Sequence, residues 1–248
     1  MPAHCSENLN SQLMELPIFN DNLRSSGSWS AALAQEQEEW NRARAGLSTV
    51  ETTLREHQVA QMLKISGSQL ASANLLEAAA KVSAWAGEPD AKLSPERLFE
   101  LYRTLTGATA DADVLRRTEA APINAAHDPT PAILLAKMID HAFDWFSTES
   151  FAELHPVEQA TIAYMRLLDM HPFPAANEPV AMLSASFYTE RAGLPPLVIS
   201  ADEVTQARFA QTLEAAFRML TQPLVEMFAE TLRATMQHSA VLAIDDAQ

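Results

Sequence analysis

The run His171-Pro172-Phe173-Pro174-Ala175-Ala176-Asn177-Glu178-Pro179 brings an imidazole, an aromatic ring and a side-chain amide together just after an apolar helical stretch. An imidazole in such a place has two chemical uses. It can take a proton from a hydroxyl nucleophile near neutral pH, or it can hydrogen-bond locally and fix a turn. Asn177 or Glu178 reads as a helix cap with Pro179 at the first helical position, the pattern of a structural turn. Two other histidines, His127 before Asp128-Pro129 and His155 before Pro156, fit loop and helix-start chemistry. His141, His155 and His171 lack metal-ligand spacing, and no HExxH, P-loop or Ser-His-Asp arrangement stands out. Asp111, Asp113 and Asp128 read as loop residues, so no metal is expected. The single cysteine, Cys5, excludes an intramolecular disulfide and a cysteine-based zinc cluster.

The elements that position this loop are helices. Apolar residues recur at helical spacing from Trp29 to Leu63, from about Ser68 to Trp85, over Ala132–Ser147 and over Pro156–Met170. Further helices are expected at about Pro179–Ala192, Asp202–Leu220 and Pro223–His238. Ser94, Pro95 and Gly107 mark the start and stop of another helix, ERLFELYRTLT. Residues 108–131 break the pattern with prolines and acids and read as a loop-rich segment with room for a short hairpin. Residues 1–28 read as a loosely ordered arm, 29–93 as an N-terminal helical region, 94–240 as the core and 241–248 as a tail.

From Leu115 to Ile199 the chain resembles the Fic family. The order of parts agrees: an extended segment, LRRTEAAPINAAHDPTP; a helix ending MIDHAFDWFS; a His-Pro-opened helix, LHPVEQATIAYMRLLDM; a loop beginning His171-Pro172-Phe173; and an exit, ERAGLPPLVIS. The resemblance implies an all-α fold, a Fic-like helical core carrying a small β-hairpin flap, with Arg117 and Ile123 in a flap that docks a protein target by strand addition. It also implies that His171 is the catalytic base, with Phe173 and Asn177 in the ligand loop.

The family's signature, His-x-Phe-x-(Asp/Glu)-Gly-Asn-Gly-(Arg/Lys)-x-x-Arg, is only partly kept. His171, Phe173 and Asn177 stand in place, whereas Ala175 replaces the acid that holds Mg²⁺. Ala176 and Glu178 replace the glycines of a phosphate nest, and Pro179 and Met182 replace the cations that clamp phosphates. The best local match to the family's inhibitory helix, GSQLASAN at residues 67–74, has Ala71 where that motif carries its Glu.

The chain carries 32 acidic against 17 basic side chains, a formal charge of −15, which disfavours nucleic-acid and membrane-surface partners. Its N-terminus has neither the basic nor the apolar region of a cleaved signal, so the expected location is cytoplasmic, with a secreted effector not excluded. The expected role is that of a degenerate Fic-fold protein without AMP transfer or cofactor, binding a protein partner or acting in regulation. The alternative is a divergent transferase that uses His171 as base on protein hydroxyls, for which ATP and Mg²⁺ would be the cofactors. Structural use in a homo-oligomer is a third reading.

Overall fold

The computed structural model describes residues 27–44, 48–65 and 70–245, so residues 1–26 of the expected arm, Cys5 among them, and Ser68 lie outside the described residues, while Gly27 and Ser28 open the first helix. The helices are α1 (Gly27–Arg44), α2 (Ser48–Ile65), α3 (Ser72–Ala86), α4 (Pro95–Thr106), α5 (Leu135–Phe146), the single turn α6 (Glu149–Ala152), α7 (Pro156–Met170), α8 (Asn177–Arg191), α9 (Glu203–Phe217) and α10 (Gln222–Asp245). The apolar run from Trp29 to Leu63 is divided between α1 and α2.

The most extensive packing is between α7 and α8, with α3 and α4 on one side and α9 and α10 on the other. Local chemistry sets the frame. Ser94 caps α4 by accepting from the Arg97 N–H at 3.4 Å, and Gly107 (φ 70°) closes it by donating to Arg103 O at 2.8 Å. Between these stops Leu98, Leu101, Tyr102 and Leu105 form one buried stripe. His155 opens α7: its Nδ1 accepts from Val157 N–H, and Glu158 accepts from the His155 N–H at 2.8 Å. Burial lowers the pKa of His155, which keeps that nitrogen an acceptor.

The expected β-hairpin is not formed, and no strand occurs among the described residues. Residues 107–131 run instead as turns, bends and irregular chain before a 3₁₀ turn at Ala132–Leu134. The physical reason is where the segment's polar groups go. Pro122, Pro129 and Pro131 supply no N–H to a ladder. Arg116 and His127, at either end of the exposed stretch, bond to the end of α7 instead.

Candidate functional site

The site is the loop between α7 and α8. A helix leaves its last carbonyls without intrahelical donors, and at the end of α7 these carbonyls organise everything around them. Leu167 O accepts from the His171 N–H at 3.1 Å as His171 turns into the left-handed region (φ 45°). Asp169 O accepts from His127 Nε2 at 3.0 Å. Met170 O accepts from Arg116 Nη2 at 3.3 Å and His171 O from Arg116 Nε at 2.6 Å. The same guanidinium also donates to Thr118 O and Thr130 O, and the Arg116 N–H donates to Pro172 O at 2.9 Å. A cation at this end of a helix is also favoured by the aligned peptide dipoles.

His127 is buried, and its tautomer is settled by its partners. Nδ1 accepts from the Ile123 N–H at 3.0 Å, so the proton sits on Nε2 and is donated to Asp169 O. One face of the ring stacks on Phe217, centroids 4.6 Å apart, and its centroid lies 6.5 Å from that of His171. Neither role is legible in the sequence: Arg116 is one of two adjacent arginines in LRRTEAAPINAAHDPTP, and His127 before Asp128-Pro129 fits loop chemistry.

The retained signature residues hold the loop's shape. Phe173 is 1 % exposed and stacks on Tyr102, centroids 4.3 Å apart and 11° from parallel. Asn177 does not cap α8, contrary to the expectation that it or Glu178 would. The residue at the cap position is Ala176, and Asn177 is the first helical residue. Its amide turns back instead: Oδ1 accepts from the Phe173 N–H at 2.9 Å and Nδ2 donates to Phe173 O at 2.8 Å. This ring seals the loop where its backbone would otherwise be buried unpaired. Ala176 adopts φ 58°, a conformation that favours glycine.

The rest of the loop offers little to an anion. Ala175 is exposed, Pro179 is buried, and Met182 is 4 % exposed. Burial raises the pKa of Glu178, and its charge adds to the burial that pushes the Tyr164 phenol well above its usual value. Tyr164 Oη is buried without a hydrogen-bond partner, so the α7–α8 seam presents a desolvated acid and an orphaned hydroxyl. His171 is half-buried with its Nδ1 unpartnered. Burial first, and then the Arg116 charge, hold its imidazole below the ordinary value, which favours the neutral, proton-accepting form.

Mg²⁺ does not fit these residues. Its expected acid is Ala175, and among the described residues no three His, Cys, Asp or Glu side chains gather as a metal site. The flap residues stand apart from the loop's interior. Arg117 is exposed and pairs with Asp113, while Ile123 is 39 % exposed. Ala71 precedes α3 without a side-chain cap, and residues 67–69 of the inhibitory-motif match lie outside the described residues.

Residues 92–189 match the Fic/DOC family, a span that includes α4, the flap segment, α7, the loop and most of α8. The match to the Fic/DOC family is confined to this stretch, less than half of the chain. It is 26 % identical over 147 residues to the protein adenylyltransferases fic-1 of Caenorhabditis briggsae and Caenorhabditis elegans, covering 59 % of this chain and 28 % of each relative. The chain thus spans little more than a quarter of the curated relatives it matches. Fic-1 (residues 134–508) from C. elegans superposes with a TM-score of 0.67 at 20 % identity, covering 87 % of this chain and 71 % of that one. A Fic-domain-containing signalling protein from Bacteroides thetaiotaomicron superposes at 0.62 and 16 % identity, covering 90 % and 97 %. At such identities these likenesses speak for the fold. No helix among the described residues is long and apolar enough to cross a membrane.

Proposed function

We propose that this Fic domain does not transfer AMP and instead works by binding a protein partner. The observation that carries the reading is the filling of the loop's phosphate side: a methyl at Ala175, a desolvated carboxylate at Glu178, and buried apolar side chains at Pro179 and Met182. The nearest buried cation, Arg116, has its donors on backbone carbonyls. Losing about 2–3 kcal/mol of transition-state stabilisation at each of several such positions removes many orders of magnitude of rate. Docking by main-chain hydrogen bonds needs none of these groups. The flap suits it: residues 117–126 are mostly exposed, and the N–H groups of Glu119, Ala120 and Ala121 bond to no described residue.

Isothermal calorimetry with ATP and ADP, with and without Mg²⁺, tests the first half; saturable sub-millimolar binding would overturn it. Hydrogen exchange over residues 115–126 tests the second. Protection gained with an affinity-captured partner supports docking, and exchange already slow in the free protein refutes it.

One observation favours a second reading, a divergent transferase. His171 is part-exposed and its pKa is lowered, chiefly by burial, which favours the neutral form a base for a protein hydroxyl needs; its unpartnered Nδ1 is itself buried, so the other ring nitrogen would take the proton. Labelling of lysate proteins by ATP carrying a tag on its α-phosphate, lost in His171→Ala, would establish that reading, with ATP as the cofactor.

A further inference from the structure

Away from the loop, α2, α9, α10 and the segment leading from α8 to α9 enclose a cleft of about 360 Å³. Its floor is apolar and buried, made by Leu54 of α2, Val198 of the connecting segment and Met227 of α10. Its rim carries the ion pair Arg208 Nη1–Glu230 Oε2, 2.5 Å, between α9 and α10. At the mouth stands Val204, 80 % exposed, an apolar side chain left facing water where the cleft opens. A cavity in the range of about 300–1,000 Å³ with an apolar floor and a few polar groups on its edge is the usual form of a small-ligand site. An exposed apolar side chain at its lip is surface that such a ligand would cover.

Charge selects the ligand's class. Glu230 bonds the Arg208 guanidinium, and Glu226 also acts on it, so one rim cation faces two carboxylates. Asp202 and Glu203, both exposed, immediately precede Val204 in the chain. His57 of α2 lines the cleft as its other basic side chain. The whole chain adds a field of −15. An anion would meet repulsion, whereas an ammonium can share Glu230 with Arg208, because an exposed ion pair holds its partners weakly.

We propose that this cleft binds a small amphipathic organic cation, an arylalkylamine whose ring lies on Leu54, Val198 and Met227 and whose ammonium bonds the Glu230 carboxylate. The site is independent of the loop at His171 and of the reading given to it.

Titration of the full chain with tryptamine, its neutral isostere tryptophol and the anion indole-3-acetate, followed by calorimetry at pH 8, tests this. Tryptamine is expected to bind saturably, tryptophol about tenfold more weakly and indole-3-acetate more weakly still, because only the amine gains the carboxylate. Two substitutions at exposed positions separate the contributions without disturbing the core. Glu230→Gln should weaken tryptamine about tenfold and leave tryptophol unchanged. Ala234→Trp, which fills the mouth from α10, should abolish both, with the thermal transition retained in each variant. Equal binding of the three compounds, absence of saturation, or tryptamine binding that survives both substitutions would overturn the proposal.

Discussion

Replacing Asn177 separates a loop clamp from a ligand-binding amide. Its side chain makes both of its hydrogen bonds to the Phe173 backbone, at 2.9 and 2.8 Å, and the residue is 6 % exposed. Asn177→Ala therefore strands a buried N–H and a buried C=O that no further substitution can remove. Each such group costs about 1–3 kcal/mol, and partial access of water to the smaller side chain moderates the sum to about 2–4 kcal/mol. For a chain of this size that corresponds to a fall in Tm of about 5–15 °C. Asn177→Asp keeps the acceptor for the Phe173 N–H but sets a carboxylate oxygen against the Phe173 carbonyl. Its deficit should be large at pH 7 and narrow towards pH 4, where a protonated carboxyl can donate. Urea denaturation of the three proteins at both pH values, with thermal scanning beside it, measures this. A loss below about 1 kcal/mol for Asn177→Ala would refute the clamp, as would an Asp deficit indifferent to pH.

The two neighbouring arginines should behave oppositely. Arg116→Ala, which removes a buried guanidinium from four carbonyls, is expected to lower stability by about 3 kcal/mol or more, and Arg117→Ala, exposed and paired with Asp113, to stay within about 0.5 kcal/mol by denaturant titration. Ala176→Gly relieves a left-handed alanine at about 1–2 kcal/mol but frees the unfolded chain by about 0.5–1, so equilibrium unfolding should give a neutral result or a gain of up to about 1 kcal/mol. Glu178 has a folded pKa above its ordinary 4.5, so its contribution is fully present below 4.5 and lost as pH rises through the raised value; Glu178→Gln should stabilise the protein at pH 7 and not at pH 4. His171 is depressed below 6.5, so its contribution is present above 6.5 and lost as pH falls through the folded value; the acid limb of stability should shallow in His171→Gln.

The helical frame was legible because its signals are local. Ser94, Pro95 and Gly107 bound α4 where their types imply, and the apolar stripes of α5 and α7 follow from spacing alone. The turn from His171 to the start of α8 was legible for the same reason. What failed was whatever depends on distant chain. Nothing in Leu115-Arg116-Arg117 says which arginine turns inward; that is set by the open carbonyls of α7, about fifty residues away in sequence. The hairpin failed likewise, since the segment's partners proved to be those carbonyls and not a second strand. Asn177 was misassigned because a capping amide and a loop-sealing amide use the same side chain at neighbouring positions. An alanine gives no warning of φ 58°, and α6 is too short to produce a periodicity.

The loop shows that its shape and its chemistry rest on different side chains. Phe173 on Tyr102, the Asn177 amide on Phe173, and Arg116 and His127 on the end of α7 fix the main chain. None of these contacts involves position 175, 178, 179 or 182, where the family pattern has its metal ligand, its second glycine and its cations. The phosphate groups can therefore be absent without the loop collapsing, and the fold persists around a changed interior. Restoring one of them alone is not expected to create a phosphate site. An arginine at 182 would enter a position that is 4 % exposed for Met182, one helical turn from Glu178. The carboxylate and the guanidinium would then neutralise one another across that turn, leaving no free cation for a phosphate. On the reading proposed above, Glu178 matters more than any single missing group, because it sets an acidic side chain at the helix N-terminus where a phosphate would otherwise sit.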